Sequence, residues 1–249
     1  MNIKVLTIFP QMFAALEHSI VGRAIRDDYI GLEVINIRDF SEDKHRKTDD
    51  YPYGGGSGMV MTAQPIISAM EYAARAPFEG RRIYMSPRGE RLTQRKAERL
   101  ARMPGVILLC GHYEGVDERA LAGSVDEEIS IGDYILTGGE PAAIVVIDAI
   151  TRLIPGVLGN SESSRDESFG AVTGLLEYPQ YTHPREINGM AVPEVLLSGD
   201  HARIAAWRRY HALRTTWERR RDLLADAPLH PAERNIIAEW EKSEEKSPH

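Results

Sequence analysis

The sequence predicts an α/β fold with a mostly parallel sheet, followed by a smaller helical domain. Short apolar runs rich in β-branched residues alternate with segments of helical periodicity through the first part of the chain. Strands and helices that alternate in this way build a parallel sheet with helices on its faces. Beyond residue 156 the sequence becomes polar and proline-rich, and from Asp200 onward its apolar and aromatic residues recur at helical spacing.

Each predicted element of the first part has a local signal. The predicted strands are buried runs of aliphatic residues, at positions 3–9, 32–37, 83–85 and 106–110. The predicted helices have apolar residues three and four positions apart, at positions 12–26, 64–75, 93–102 and 142–154. Proline ends two of these helices, because Pro104 follows the third and Pro155 follows the fourth.

The second part of the chain begins with a predicted flexible linker over residues 160–175, which is polar and serine-rich. Asp200 is a predicted helix cap, since its carboxylate can accept a hydrogen bond from the first turn. Ile204, Trp207, Tyr210 and Leu213 follow it at spacings of three. The predicted organisation is therefore a domain over residues 1–159, the linker, and an all-helical domain over residues 176–249 that ends in an acidic tail.

The composition excludes several classes of protein. Of the 249 residues, 43% are hydrophobic and 27% are charged, which is typical of a globular protein. Cys110 is the single cysteine, so an internal disulfide and a thiolate zinc cluster are excluded and a cytoplasmic location is expected. No apolar run reaches the roughly 18 residues that a membrane span needs, so no membrane contact is expected. The histidines show no metal-ligand spacing, so the sequence predicts no metal site.

The charge is distributed unevenly along the chain. Thirty Lys and Arg against 37 Asp and Glu give a net charge of -7, which argues against non-specific nucleic-acid binding by the chain as a whole. Between Arg203 and Arg221, however, seven arginines accompany a single acid, Glu218. Arginines interleaved with Trp and Tyr suit contact with phosphates and unpaired bases. The alternative is a solvated helix face beside an aromatic core.

Several glycine-rich segments are candidates for a binding site. The segment YPYGGGSGM at residues 51–59 lacks the Gly-Lys-Ser/Thr ending of a nucleotide phosphate loop and is interpreted as a flexible loop. Three others follow or flank predicted strands, at residues 86–92, 110–119 and 130–142. Loops at the carboxyl ends of parallel strands can converge on one crevice, and these offer glycine backbone and few cations, which suits an uncharged ring and ribose. For any one of them alone, a tight βα turn is the preferred interpretation.

Five carboxylates and one cation complete the set of candidates, because a charged residue among apolar neighbours is costly to bury alone and is usually paired or functional. They are Glu114, Asp117, Glu140, Arg152, Asp166 and Glu167. Arg152 stands out, since Leu153 and Ile154 flank it. Its alternative role is that of an arginine at a helix end that bonds the last carbonyl groups.

Five segments, in this order and downstream of the YPYGGGSGM loop, carry a family resemblance: CGHYEGVDER, SIGDYILTGGE, RLIPGVLGN, LLEYPQYT and VPEVLLSGDHARIAAWR. They closely resemble the bacterial tRNA (guanine-N1)-methyltransferase family over nearly the whole chain. The resemblance implies methyl transfer from S-adenosylmethionine to guanosine 37 of tRNA. It also implies a SPOUT-type domain with a deep trefoil knot at its carboxyl end, a helical carboxy-terminal domain, and a homodimer with each active site between subunits.

The resemblance also implies the roles of individual residues. The catalytic arginine of the family falls at Arg152, and its catalytic aspartate falls at Glu167, with the neighbouring Asp166 as the alternative general base. Glu114 is expected to take part in catalysis as well as in donor binding. The implied S-adenosylmethionine site consists of Tyr84, Ser86, Pro87, Gly89, Gly111, Tyr113, Glu114, Ile131, Gly132, Asp133, Tyr134, Ile135, Leu136, Gly138 and Gly139. Mg2+ is a further expectation, although the sequence has no dedicated carboxylate cage for it.

Two other functions are consistent with parts of the sequence. One is a non-catalytic RNA-binding or ribosome-assembly module, in which the arginine-rich helix does the work and no methyl donor binds. The other is an α/β enzyme that acts on a small nucleotide or nucleoside, which leaves the arginine-rich helix without a role.

Overall fold

The computed structural model describes residues 1–159, 167–170 and 172–245. The chain divides into two compact units, residues 1–159 and residues 160–249. Residues 160–166 and 171, half of the predicted linker, lie outside the described residues, as do residues 246–249 of the acidic tail.

The first unit is built on a five-stranded sheet. Its strands are β1 (Asn2–Thr7), β2 (Gly31–Asn36), β5 (Arg81–Arg91), β6 (Gly105–Cys110) and β7 (Glu127–Ser130), in the spatial order β2-β1-β6-β5-β7. Every neighbouring pair is parallel, which confirms the predicted α/β fold with a parallel sheet. Two further strands, β3 (Asp49–Asp50) and β4 (Val60–Met61), form a separate antiparallel pair.

Five α-helices cover the two faces of this sheet: α1 (Ser19–Arg26), α2 (Ala63–Ala73), α3 (Gln94–Ala101), α4 (Glu118–Ser124) and α5 (Glu140–Thr151). Successive residues of a strand point to opposite faces. In β6, Val106, Leu108 and Cys110 therefore pack with α1, α3 and α5, whereas Ile107 and Leu109 pack with α2 and α4. Burial on both faces explains why β6 is an uninterrupted apolar run.

The helix predicted over residues 12–26 is two elements in the structure. A 3-10 helix spans Pro10–Glu17, His18 is extended, and α1 begins at Ser19. The break lets the two pieces approach closely, because a Cβ on Gly22 would lie 2.0 Å from the carbonyl oxygen of Glu17. A continuous helix would not fold back on itself in this way.

Local signals placed the other predicted helices to within two residues, except at the end of α5, which stops at Thr151 instead of residue 154. Thr93 caps α3 by accepting a hydrogen bond from the Lys96 amide. The helix predicted over residues 142–154 corresponds to α5 and begins at Glu140. Pro141 stands in its first turn, where a proline costs no hydrogen bond. Neither α4 nor β7 was predicted.

The second unit contains helices α6 (Glu194–Leu197), α7 (His201–Arg219) and α8 (Pro231–Glu245), with a 3-10 helix over Arg221–Ala225. Asp200 caps α7 by accepting a hydrogen bond from the Arg203 amide, as predicted. The prediction of an all-helical domain was incomplete, since strands β8 (Glu186–Ile187) and β9 (Met190–Ala191) form a hairpin. Leu175, Leu213, Trp217 and Ile237 belong to the core of this unit.

No helix among the residues that the structure describes combines the length and the apolar character needed to cross a membrane.

Candidate active site

The three glycine-rich loops of the first unit converge at the carboxyl edge of the sheet. The second and third follow β6 and β7, and the first is the irregular end of β5 itself; these three strands are neighbours in the sheet. Strand β5 is irregular at this edge, because Met85 and Glu90 both align with Ile129 of β7 and the residues between them bulge outward. The third loop leads directly into α5. This is the crevice that an open parallel sheet offers to a ligand.

Backbone contacts fix the second and third loops against each other. The amide of Gly139 donates to the carbonyl of Gly111 at 2.8 Å, and His112 forms an antiparallel bridge with Gly138. The glycine-rich segment upstream joins the same assembly, since the amide of Glu114 donates to the carbonyl of Met59 at 3.0 Å. Three segments distant in sequence are therefore joined by backbone contacts at the cleft.

Gly139 allows the closest of these approaches. A Cβ at this position would lie 2.8 Å from the Cα of Cys110 and 3.0 Å from the amide nitrogen of Gly111. Both are backbone atoms, so no side chain can turn aside to make room. Any larger residue must push the end of β6 away from the start of α5.

The loops enclose a cleft of about 400 Å3. Its size lies in the range of ordinary small-molecule sites. All but two of the residues expected to bind the methyl donor line this cleft: Tyr84, Ser86, Pro87, Gly111, Tyr113, Glu114, Ile131, Gly132, Tyr134, Ile135, Leu136, Gly138 and Gly139.

Gly89 and Asp133 are the two exceptions. Gly89 lies in the outward bulge of β5, where its backbone packs against that of Glu128 and Ile129. The exposed carboxylate of Asp133 forms an ion pair with Arg91. Asp117, a further carboxylate of the second loop, accepts a hydrogen bond from the Arg119 amide as the N-cap of α4.

Seven residues that sequence reasoning did not assign also line the cleft: Met85, His112, Gly115, Ile129, Ser130, Thr137 and Ala142. All of them lie within or next to the three predicted loops. Extending the first and third loops by one residue into the preceding strand would have found Met85 and Ile129, because parallel strands end at the crevice.

The charge of the lining is distinctive. It contains one carboxylate, Glu114, and no lysine or arginine. Aromatic and aliphatic side chains project from its rim, and Ile135 is 82% exposed in the isolated chain. The cleft therefore accepts a positively charged ligand more readily than an anionic one, and its rim is apolar enough to bind a further surface.

A buried polar network lies directly beneath the cleft. Glu140, which is fully buried, accepts a hydrogen bond from the hydroxyl of Thr7 at 2.6 Å, and its second carboxylate oxygen lies 2.7 Å from Nε2 of His112. The Thr7 hydroxyl in turn accepts from the amide of Phe9 at 2.9 Å. Burial, and then the nearby Glu140 charge, raise the pKa of the Cys110 thiol well above its ordinary value. The network ties the first strand to α5 and to the second loop.

The structure does not bring Arg152 to the cleft within one chain. Arg152 is the C-cap of α5, whereas Gly139 is the N-cap of the same helix and lines the cleft. The 12 residues of α5 rise about 1.5 Å each, which separates its two ends by roughly 18 Å. Glu167 is partly buried in the second unit, where its carbonyl accepts a hydrogen bond from the amide of Gly170. Asp166, the alternative base, lies outside the described residues.

Most of the arginine-rich stretch between Arg203 and Arg221 is neutralised within the second unit. Four arginines form ion pairs with carboxylates: Arg209 with Glu233, Arg214 with Glu218, Arg220 with Asp222 and Arg221 with Glu244. Among the residues described, Arg203, Arg208 and Arg219 have no carboxylate within ion-pair distance. The cationic surface is therefore smaller than the sequence indicated, and it includes the exposed side chain of Arg208.

Known proteins resemble this chain over its full length. The family model described as tRNA (Guanine-1)-methyltransferase TrmD matches residues 1–226. A tRNA (guanine-N(1)-)-methyltransferase of Moorella thermoacetica is 53% identical, with all of both chains covered. Its namesake in Geobacillus kaustophilus is 50% identical over 98% of this chain and all of its own, and that of Symbiobacterium thermophilum is 55% identical over 96% and 98%. The resemblance seen in the five sequence segments is confirmed, and the chain belongs to the tRNA (guanine-N1)-methyltransferase family.

Proposed function

We propose that this protein transfers a methyl group from S-adenosylmethionine to N1 of guanosine 37 in tRNA. The observation that carries the proposal is the cleft at the carboxyl edge of β5, β6 and β7, which combines glycine backbone, apolar walls and a lining without lysine or arginine. Membership of a methyltransferase family over residues 1–226 supports the same activity. A non-catalytic RNA-binding module would have no use for such a cleft.

The cleft fits the proposed donor in size and in charge. When bound, S-adenosylmethionine supplies a methyl group that its sulfonium centre already activates for transfer. The three loops would hold the donor through backbone groups and apolar contacts, with Tyr84, Tyr113 and Leu136 among the walls. Glu114 is the one carboxylate in the lining and would favour a cationic ligand there.

The acceptor needs a base, because N1 of guanine carries a proton at neutral pH and is a poor nucleophile. A carboxylate within hydrogen-bond reach of N1 can remove this proton as the methyl group arrives. Glu167 is the proposed base by its register in the sequence, with Asp166 as the alternative. As the proton leaves, negative charge develops on O6 of the guanine, and a fixed guanidinium such as that of Arg152 stabilises it.

The position of Arg152 supports an active site that two copies of the chain share. Because α5 places Arg152 roughly 18 Å from the helix end that lines the donor cleft, one chain does not bring the Arg152 guanidinium close to its own donor cleft. A homodimer in which the partner subunit supplies the arginine resolves this separation. The exposed apolar rim at Tyr134, Ile135 and Leu136 supplies a surface that such an arrangement can cover.

The trefoil knot is a further part of the proposal. The third loop is held against the second by the bond from Gly139 to Gly111, so α5 starts beside the carboxyl end of β6 after the chain has formed β7. This close return of a late segment onto an earlier loop is consistent with the knotted arrangement that the family resemblance implies.

The test of the chemistry is labelled methyl transfer to a tRNA transcript that carries guanosine 37, under single-turnover conditions. We expect Arg152→Ala and Glu167→Gln to lose most of the rate. The loss of one comparable oxyanion donor costs about 2.7–4 kcal/mol, or roughly 100- to 1000-fold, and a positioned general base typically contributes roughly 100- to 10,000-fold. Asp166→Asn is the matched control and should retain the rate. Full activity in Glu167→Gln together with loss in Asp166→Asn would move the base to Asp166. No transfer by the unmodified protein would refute the proposed function.

Mixed dimers test the shared site. Pro87→Trp obstructs the donor cleft from an exposed position outside the apolar rim, and Arg152→Ala removes the cation at the carboxyl end of α5. We expect each variant alone to be inactive. Their 1:1 mixture should recover up to about a quarter of the activity, because about half of the dimers are then mixed and each mixed dimer has one site with both intact groups. No recovery after subunit exchange would show that each chain supplies its own arginine.

A further inference from the structure

A second cleft, of about 430 Å3, lies entirely within the second unit. The segment over residues 178–185 forms one wall, and residues of β9, α6 and α7 and their flanks complete it. Its lining includes the phenol rings of Tyr178 and Tyr181, the imidazole of His183 and the guanidinium groups of Arg185 and Arg208. The lining contains no carboxylate.

The aromatic rings form a platform beside these cations. Trp207 packs against both tyrosines, with ring centroids 6.5 Å from Tyr178 and 6.2 Å from Tyr181. The guanidinium of Arg208 lies over the Tyr178 ring, 5.0 Å from its centroid. Tyr181 keeps about half of its surface exposed, so its ring remains accessible. A planar group can stack in such a place, because aromatic rings bind flat π-systems without regard to sequence.

Pairing separates the two arginines of this cleft from four of the seven arginines between Arg203 and Arg221, whereas Arg203 and Arg219, within the described part of the chain, are unpaired but do not line the cleft. Arg209, Arg214 and Arg221 are neutralised by carboxylates on the same or neighbouring helices. Among the described residues, Arg185 and Arg208 have no such partner. A positive charge without a counter-charge beside an open aromatic platform matches a nucleotide, which has a flat base and an anionic phosphate.

We propose that this cleft binds one unpaired nucleobase of the RNA substrate, together with an adjacent phosphate. The base stacks on Tyr181, and Arg185 and Arg208 contact the phosphate. The bound base is a different one from the guanine that receives the methyl group. This inference rests on the proposed function only for the identity of the RNA. The cleft is a positioning site, which raises the affinity for RNA without taking part in the chemistry.

The test measures the affinity of the full chain for a tRNA transcript by filter binding. We expect Tyr181→Ala to weaken binding about 5- to 150-fold, the range that stacking of one base typically contributes. Tyr181→Phe keeps the ring and should bind within about twofold of the unmodified protein. The thermal unfolding midpoint of Tyr181→Ala should be nearly unchanged, because the ring is half exposed.

Two arginine variants separate the cleft from general attraction by positive charge. Arg208→Gln removes a cation of the cleft, whereas Arg219→Gln removes an equally exposed cation from the last turn of the same helix, outside the cleft. We expect the first to weaken RNA binding at least fivefold more than the second. Equal losses for both arginine variants, with no loss for Tyr181→Ala, would overturn the proposal.

A modified RNA distinguishes the proposed base from the methylated one. Replacing the acceptor guanosine by adenosine should leave the loss caused by Tyr181→Ala unchanged, because independent contacts are additive. If the loss disappears with the acceptor guanine, the cleft holds that guanine and the proposal is overturned. Unchanged RNA affinity in all variants would also overturn it and would leave the cleft to a protein partner. These affinities are measured without methyl donor, so a failure of methyl transfer by the unmodified protein would refute the proposed function and leave this comparison intact.

Discussion

Replacement of Gly139 by alanine is the sharpest test of how the donor cleft is built. The added Cβ would meet the Cα of Cys110 at 2.8 Å and the amide nitrogen of Gly111 at 3.0 Å. Ordinary van der Waals contact begins at about 3.4 Å, so the end of β6 and the start of α5 must separate by several tenths of an ångström. The hydrogen bond from the Gly139 amide to the Gly111 carbonyl, now 2.8 Å, lies in the path of this movement.

The expected cost follows from the rigidity of these neighbours. Overpacking of a tight site costs roughly 1–3 kcal/mol. For a unit of this size each kcal/mol lowers the unfolding midpoint by about 2–4 °C, so we expect a decrease of about 2–12 °C. The same movement displaces backbone that lines the cleft. Affinity for the methyl donor should therefore fall about tenfold or more, since about 1.4 kcal/mol corresponds to a factor of ten.

Thermal unfolding and titration calorimetry with S-adenosylmethionine measure the two effects. Gly123→Ala is the matched control, because Gly123 lies in α4 and a Cβ there would meet nothing within 4 Å. Alanine at this position should leave donor affinity unchanged and should stabilise the protein by up to about 1 kcal/mol, as helix propensity predicts. Gly139→Ala protein with unaltered stability and donor affinity would refute the claim that this approach requires glycine.

Three further predictions concern buried groups and charge. Glu140→Ala removes the buried carboxylate that both the Thr7 hydroxyl and the His112 ring contact, so the free energy of unfolding should fall by about 3–5 kcal/mol in urea titrations. A loss below about 1 kcal/mol would contradict the role of this network. Burial raises the pKa of the Cys110 thiol, so this thiol should react with a thiol reagent only as fast as the native protein opens locally. Labelling at the rate of a free thiol would show that Cys110 is accessible in the folded protein. The hydrogen bond from Arg209 lowers the pKa of Glu233 below its ordinary value of 4.5, so this ion pair stabilises the second unit at neutral pH. The stabilisation is lost as the pH falls below about 4.5 and Glu233 becomes protonated. Glu233→Gln should reduce the fall in stability between pH 7 and pH 3, and an unchanged pH dependence would exclude this role.

Local signals in the sequence were sufficient to predict the strands and helices that have a clear apolar pattern or a capping residue. The apolar run of β6, the cap at Thr93 and the cap at Asp200 each act within a few residues, so their effect can be predicted from neighbours alone. Strand β7 was missed because Glu127–Ser130 is short, lies at the edge of the sheet and contains two glutamates. Edge strands tolerate such polar residues, and they therefore lack the apolar pattern that identifies a buried strand.

Contacts between distant residues set the limit of prediction for the candidate site. The sequence singled out Glu140 as a charged residue among apolar neighbours, but it could not name His112 and Thr7 as the partners that make this burial tolerable. Similarly, the sequence of the arginine-rich stretch predicts a strongly cationic surface. The carboxylates that neutralise Arg209 and Arg221, those of Glu233 and Glu244, lie later in the chain. Pairing across long separations depends on the folded topology, which local patterns do not specify.

The bond between Thr7 and Glu140 has a consequence for how the protein is made. Its two residues lie 133 positions apart, so the donor cleft cannot be completed until the ribosome has released nearly the whole of the first unit. A chain that stops before α5 lacks the floor of the cleft and should not capture the methyl donor. Capture of the donor by nascent chains of increasing length would therefore report the moment at which this unit finishes folding. Folding of this unit is expected to be slow, because it must bring residues 133 positions apart into contact.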